Sequence, residues 1–476
     1  MQRILLLAVP LVLGGCGSAG VEKGAAGPVA VASLFGQLVA VQAEPGEGFN
    51  YPYFLYVPEQ VALDRSVRLL VEPNNTGWTD DDFQIHLDRA RDQVQEGRTG
   101  RRLADELGSP LLVPAFPRPR DIWRTYTHAL DRDALLIDKG ALERIDLQLA
   151  AMIEHTRVYL TGQGLAVKER VFMNGFSASG NFVNRFAALQ PRLVRAVATG
   201  AVNGLPIFPR AELAGEELPY PIGIADIGRL TGSPFNETDY DRISQYIYMG
   251  YLDRNDTFPF DDAWDDGERA LIARLFGRQM MPNRWERSQE LLAEWAPSAQ
   301  LVTYDGTGHR IKGEMLGDLV AFFRANDDDG YNPIEPHRYP FVEFAEITQA
   351  HISSLHWLGD EAIPEWARAA DQPGAIAIRI EEWMEGQDYQ QLDTFYGRAG
   401  LHFLLRAAGQ EDIAIDRGNY KGNQSDGNGS YQAFIVVLQA VQLAAMAPGV
   451  SYELLAQNSS DEFFWTVRPG VELVKP

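Results

Sequence analysis

The stretch Val171-Phe172-Met173-Asn174-Gly175-Phe176-Ser177-Ala178-Ser179-Gly180 joins an apolar β-type run to a helix-like segment reaching Leu189. This is the layout of a nucleophile elbow, a strand-to-helix turn sharp enough to lift a serine clear of the backbone. Small residues must flank such a serine, because its strained backbone leaves no room for bulk. Gly175, Ala178 and Ser179 meet that demand, although Ser179 stands where the G-x-S-x-G pattern ends in glycine. A plain strand, a glycine turn and a serine N-cap would give a similar string, so the assignment depends on residues further along the chain.

Two segments supply the partners of a hydroxyl nucleophile, in the chain order acid then histidine. The β-rich run Tyr246 to Gly250 leads into Asp253 and Asp256. The run Val302-Thr303-Tyr304 leads through Asp305-Gly306-Thr307-Gly308 to His309. Acid and base thus each follow a predicted strand, at the sheet end where open α/β sheets place their reactive groups. A serine hydroxyl is a poor nucleophile until a base takes its proton. His309 fits the base, and a buried carboxylate would fix its tautomer. Asp253 is preferred as that acid because it lies on the first turn after its strand, with Asp256 as the alternative. The other seven of the eight histidines are expected to be structural or surface residues, and none has metal-ligand spacing. An oxyanion needs two donors: the amide of Ala178, after the serine, and one from the loop after an early strand. Val67 to Pro73 reads as that strand, and Asn75 and Thr76 in the Asn74-Asn75-Thr76-Gly77 loop are the candidates.

From about Gly48 to about Asn326 the chain resembles the α/β-hydrolases of the esterase and polyhydroxybutyrate-depolymerase-like kind. The residues that carry the resemblance are Tyr53 to Pro58, Val71 to Asn75, Leu112 to Pro117, Gly175 to Ser179 and Gly306 to His309. It implies an α/β-hydrolase fold with a mostly parallel sheet, and Ser–Asp–His acyl transfer through Ser177, Asp253 and His309 without metal or organic cofactor. The expected substrate is a small or polymeric ester. A serine peptidase of the same fold and a catalytically inactive surface-binding lipoprotein are the alternatives.

The N-terminus is read as an address. Met1-Gln2-Arg3 is a positive region, and Ile4 to Leu13 is apolar but too short to span a bilayer. Leu13-Gly14-Gly15-Cys16 resembles a bacterial lipobox, with the chain's single cysteine as the lipidated residue. The expectation is a signal peptide over 1–15, a Gly/Ala/Ser-rich tether over 16–32, and a protein held on the cell envelope by acyl chains on Cys16. Gly17 in place of Asp agrees with the outer membrane. With no other cysteine, the fold must rest on its core, and 476 residues with 45% hydrophobic content can build one. A net charge of −23 repels phosphate backbones and argues against nucleic-acid partners.

Strand and helix patterns alternate through 33–326, which predicts a mostly parallel sheet. Asn203 to Tyr240, rich in Pro, Gly and Glu, reads as a lid or as a long surface excursion. A linker is expected over 327–340, then a β-rich, sandwich-like domain over 341–476 with strands near 375–380, 401–406, 412–416, 431–437, 451–455 and 463–467. The loop from Asp416 to Ser430 reads as turn-rich rather than as a calcium site. Trp357, Trp366, Trp383 and Trp465 read as core rather than as a sugar platform.

Overall fold

In the computed structural model, residues 5–6, 32–251, 253, 255–304, 307–338, 352–358, 374–380, 402–415, 420–424, 433–438, 440–457, 465–468 and 470–475 are described. The strands β1 (Leu5–Leu6), β2 (Leu38–Val41), β3 (Tyr53–Tyr56), β4 (Leu70–Val71), β5 (Leu111–Pro114), β6 (Val171–Phe176), β7 (Val194–Gly200), β10 (Ser244–Gly250) and β11 (Ala299–Tyr304) form one sheet; β8 (Glu212–Leu213) and β9 (Glu216–Glu217) are a separate small hairpin. The order in the large sheet is β1-β2-β3-β5-β4-β6-β7-β10-β11. Only β2–β3 and β3–β5 pair antiparallel; the other neighbours are parallel.

Alternating residues of each strand feed two cores. Tyr53, Leu55, Val171, Met173 and Val197 join the helices Ile145–Gly162 and Ala178–Leu189 on one face. Phe54, Tyr56, Phe172, Ala196 and Ala198 join the helices Thr99–Leu107 and Gly313–Ala325 on the other. The cause is the period-2 direction of strand side chains and the need of each helix to bury its apolar face. A mostly parallel sheet flanked by helices, with an elbow after a central strand, is the α/β-hydrolase fold. Asp82 caps the helix Phe83–Gln93, accepting from the Gln84 amide at 3.0 Å. The early strand is shorter than the 67–73 run suggests, Leu70–Val71 with an isolated bridge from Val67 to Val167.

Two expectations change. Asn203 to Tyr240 is not a lid. Leu205, Phe208, Leu218 and Ile222 pack with Ile247 and Met249, and Ile207, Tyr220, Ile227 and Tyr240 join the core around the elbow helix. Only Asn203 of this stretch lines the cleft that holds Ser177. The expected linker is also tied down. Arg68 Nε donates to Asp327 Oδ1 at 2.9 Å, and buried Arg195 donates to the carbonyls of Asp328 and Gly330. The Ile334 amide reaches Gln300 Oε1 at 3.0 Å, and the His337 amide reaches Asp318 Oδ2 at 2.9 Å. The chain through His337 therefore lies on the surface of the α/β domain. Buried arginines needing acceptors, rather than loop composition, decide its path.

Beyond it, β12 (Ile352–Trp357), β13 (Gly374–Ile380), β17 (Ala433–Leu438) and β16 (Tyr420–Gln424) form one antiparallel sheet, in that order. A second contains β15 (Ile413–Ile415), β14 (His402–Arg406), β18 (Ser451–Gln457) and β19 (Trp465–Thr466), with β20 (Leu473–Val474) also on β18. Leu355, Ile376 and Val436 of the first sheet share a core with Phe403, Leu405 and Leu454 of the second, so the sandwich-like arrangement is present. Strands β12, β16 and β20 were not foreseen, and β16 lies within the loop read as turns. Half-buried Trp357 packs on this core, while Trp366 and Trp383 lie outside the described residues. Tyr251, at the end of β10, packs against the same core, so the sandwich touches the segment that carries Asp253.

Gly180 holds its helix close against β7: a Cβ there would lie 2.4 Å from the Gly200 carbonyl oxygen. Gly180→Ala should therefore cost about 1–3 kcal/mol, read as a lower urea midpoint at unchanged m-value. An unshifted midpoint would show that the helix can back away from β7.

Candidate active site

Ser177 sits between β6 and its helix with φ 62° and ψ −125°, a left-handed φ that a non-glycine residue adopts only when its surroundings impose it. Its amide donates to the Gly200 carbonyl at 2.9 Å. Ser179 explains itself here. Its hydroxyl donates to the Phe176 carbonyl at 2.9 Å and accepts from the Phe176 amide at 3.0 Å, clasping the turn that precedes it. Gly175 is compulsory, since a Cβ would meet the Ser179 carbonyl oxygen at 2.2 Å. The Ala178 amide is the first of the helix and has no hydrogen-bond partner among the described residues.

Asp253 is fully buried, and His309 Nδ1 donates to its Oδ2 at 2.8 Å. The Asn255 amide donates to Asp253 Oδ1 at 2.9 Å. With Nδ1 carrying the proton, Nε2 is an acceptor, and it takes the Asn255 side-chain amide at 3.0 Å. Asp256 stands elsewhere. It pairs with buried Arg284 and accepts from the Phe258 amide, and burial raises its carboxyl pKa while the guanidinium opposes the rise. Of the two candidate acids, the structure puts Asp253 on the imidazole.

Ser177 and His309 line one cleft of about 1190 Å³, and the His309 ring lies 4.9 Å from that of Phe176. The two side chains do not share a hydrogen bond. Ser177 Oγ instead accepts from Asn203 Nδ2 at 3.4 Å, and Asn203 Oδ1 is held by Asn181 at 2.8 Å. Asn255 thus occupies the Nε2 position that the Ser177 hydroxyl would take, while Asn203 holds the Ser177 oxygen. Neither was singled out from the sequence. Asn203 comes just after Ala201, whose φ of 48° turns the chain back over the elbow; only the folded chain carries that signal.

The loop after β4 is more ordered than its Asn-Asn-Thr-Gly composition suggests. Asn74 donates to the Phe116 carbonyl at 2.9 Å and accepts from the Phe116 amide at 3.1 Å. Asn75 Nδ2 reaches the Phe176 carbonyl at 3.3 Å. The Thr76 amide donates to His128 Nδ1 at 3.2 Å, and the Thr76 hydroxyl pairs with His86 Nδ1 at 3.0 Å. Thr76 is therefore engaged behind the loop, while the Asn75 amide has no partner among the described residues. His86 and His128, read as structural or surface residues, are structural and wholly buried.

The comparisons with known proteins return fold resemblances alone. No family model matches the chain, and no curated protein matches its sequence. Among solved structures, poly(aspartic acid) hydrolase-1 from Sphingomonas sp. KT-1 is 15% identical over 58% of this chain and 95% of its own, with a TM-score of 0.39. The poly(3-hydroxybutyrate) depolymerase LpqC from Bordetella parapertussis is 17% identical over 65% and 97%, with a TM-score of 0.39. The S-formylglutathione hydrolase from Agrobacterium tumefaciens is 14% identical over 60% and 90%, at 0.33. No cluster of metal-ligating side chains and no helix long and apolar enough to cross a membrane occurs among the described residues.

His128 can hold the loop only as a neutral ring, with Nε2–H on the Phe116 carbonyl at 2.8 Å and a bare Nδ1 for Thr76. Burial pushes it down to about 3, with His86 and Arg118 adding repulsion. A depressed histidine pKa means that the unfolded chain binds the extra proton first. The stability this ring contributes is present above pH 6.5 and is lost as the pH falls toward 3. His128→Phe should be less stable than the parent at pH 7 by about 2 kcal/mol. That gap should shrink by about 1.4 kcal/mol per pH unit below about pH 6, closing near about pH 5 and reversing sign below it, in urea titrations. A constant gap would contradict the neutral-ring role.

Proposed function

We propose that this protein is a serine hydrolase acting on carboxylic esters. The observation that carries the reading is His309, held through Nδ1 on a fully buried Asp253, with Nε2 in the cleft that receives Ser177 from a positive-φ elbow. When a substrate enters, Nε2 leaves the Asn255 amide for the Ser177 hydroxyl, a tightening common to sites that are loose when empty. Ser177 Oγ attacks the ester carbonyl, and His309 takes its proton. The Ala178 and Asn75 amides receive the oxyanion. The tetrahedral intermediate collapses to an acyl-serine while the imidazolium gives its proton to the departing alcohol. Water then repeats the sequence on the acyl-serine, releasing the acid and restoring Ser177. Asp253 keeps the imidazole in one tautomer and stabilises its charged form.

Ser177→Ala should abolish hydrolysis of p-nitrophenyl acetate and block labelling by a fluorophosphonate probe. Asp253→Asn should lower kcat by about 10³- to 10⁴-fold, whereas Asp256→Asn, which touches Arg284 rather than His309, should cost far less. Labelling of the alanine variant at the parental rate, or equal losses from the two asparagine variants, would refute these assignments.

The lipobox-like Leu13-Gly14-Gly15-Cys16 supports envelope anchoring through acyl chains on Cys16. Expressed in a bacterial host fed a palmitate analogue, the parent should carry the label and sediment with membranes. Cys16→Ala should do neither; equal labelling of both would remove the anchor from this account.

A further inference from the structure

Glu72 comes directly after β4. Because Val71 pairs with Met173, the next rung sets Glu72 beside Asn174. Asn174 Nδ2 donates to Glu72 Oε2 at 2.5 Å, and Gln93 Nε2 approaches Oε1 at 3.4 Å. The first turn of the helix Thr99–Leu107 closes against the carboxyl, since a Cβ on Gly100 would lie 2.8 Å from Oε2. Glu72 is only 8% exposed and pairs with no cation among the described residues, although Arg98 and Arg310 line the same cleft. Burial pushes its carboxyl up to about 7, against the pull of the two amides.

A buried carboxyl without a counter-ion is costly as structure alone, and its surroundings compound the cost. Asn174 Oδ1, Gln93 Oε1 and the Tyr248 hydroxyl are buried without hydrogen-bond partners. Asn174 and Tyr248 are each 1% exposed. Glu72, Gln93 and Asn174 all line the cleft of Ser177. The unmet demand is mainly for donors and for positive charge.

We propose that Glu72, Asn174 and Gln93 form a subsite that takes the primary ammonium group of a substrate. An ammonium carries three donors and no acceptor, which matches one carboxylate and two orphan carboxamide oxygens. A substrate hydroxyl would satisfy one of them at a time, and a substrate carboxylate would be repelled. Asn174 and Ser177 are three residues apart on and just beyond β6, roughly 10 Å of extended chain. The amine therefore sits within about eight bonds of the scissile carbonyl. The inference rests on Ser177 as the nucleophile and names the substrate class of that site. Charge-assisted bonds in a desolvated site discriminate strongly against an analogue that lacks the group.

The test compares isosteric esters on the full chain. On the acyl side these are p-nitrophenyl 4-(aminomethyl)benzoate and 4-methylbenzoate. On the alcohol side they are 4-(aminomethyl)benzyl acetate and 4-methylbenzyl acetate. The parent should prefer the cationic member of at least one pair by tenfold or more in kcat/KM, and Glu72→Gln should cut that ratio at least tenfold. Because Glu72→Gln could fold poorly, the parent alone supplies a second reading. Inhibition of neutral-ester turnover by 4-methylbenzylammonium should be at least tenfold stronger than by 4-methylbenzyl alcohol. A parent that hydrolyses the neutral esters without preferring either cation, or a preference that survives Glu72→Gln, overturns the subsite. Loss of the subsite alone leaves neutral-ester turnover dependent on Ser177; failure of the hydrolase reading removes that turnover as well.

Discussion

The close approach of one helix to two strands governs everything else in the site. The elbow helix lies against β6 and β7 at glycine distance: Gly175 faces the Ser179 carbonyl and Gly180 faces the Gly200 carbonyl. Gly200 in turn leaves space for the Tyr248 ring, 2.3 Å from where its Cβ would fall. Gly175 and Gly200 stand on neighbouring strands and Gly180 on the helix that lies over them, so a change at one is felt by the next. Their packing forces Ser177 into its positive φ and brings an unpaired helix-start amide beside the same hydroxyl. Strain in the turn is sustained by core burial on both sides, where Phe182, Phe186 and Val197 on one face and Phe172 and Ala198 on the other are essentially inaccessible to water.

Around that turn the protein spends buried hydrogen bonds on loops. The neutral His128 ring, buried His86, the Asn74 side chain and the Phe116 backbone just beyond β5 hold the Asn75–Thr76 segment at the mouth of the cleft. The acid loop is held in the same manner, with Asp253 taking one bond from His309 and one from the Asn255 amide. Tyr251 adds a contact to the C-terminal sandwich one step upstream. Rigid loops on a rigid sheet are what preorganised charge stabilisation demands.

Much of this was legible in the sequence because it is local or periodic. The elbow string, the alternation of strands and helices, and the strand-turn order leading to Asp253 and His309 depend on residues close together in the chain. Asn203 and Asn255 were not legible, because an asparagine in a loop looks like any turn residue until the fold brings it to Ser177 or His309. Glu72 looked like one more acid in an acidic chain, and only burial beside Asn174 sets it apart. His86 and His128 were read only as structural or surface residues, and their work on the loop depends on the Phe116–Arg118 backbone, 32 and 12 residues away in the chain. The path of the segment after Asn326 was not legible, because Asp and Gly signal a linker by composition and nothing of what it lies against. Arg68 and Arg195, distant in sequence, are what hold it.

A crystal structure of the protein phosphonylated by a fluorophosphonate would test the central claim most directly. The account predicts phosphorus bonded to Ser177 Oγ, a phosphonyl oxygen about 2.7–3.1 Å from the Ala178 and Asn75 amides, and His309 Nε2 turned from Asn255 toward the adduct. An adduct on another side chain, or one on Ser177 whose oxygens avoid both amides while His309 stays on Asn255, would contradict it.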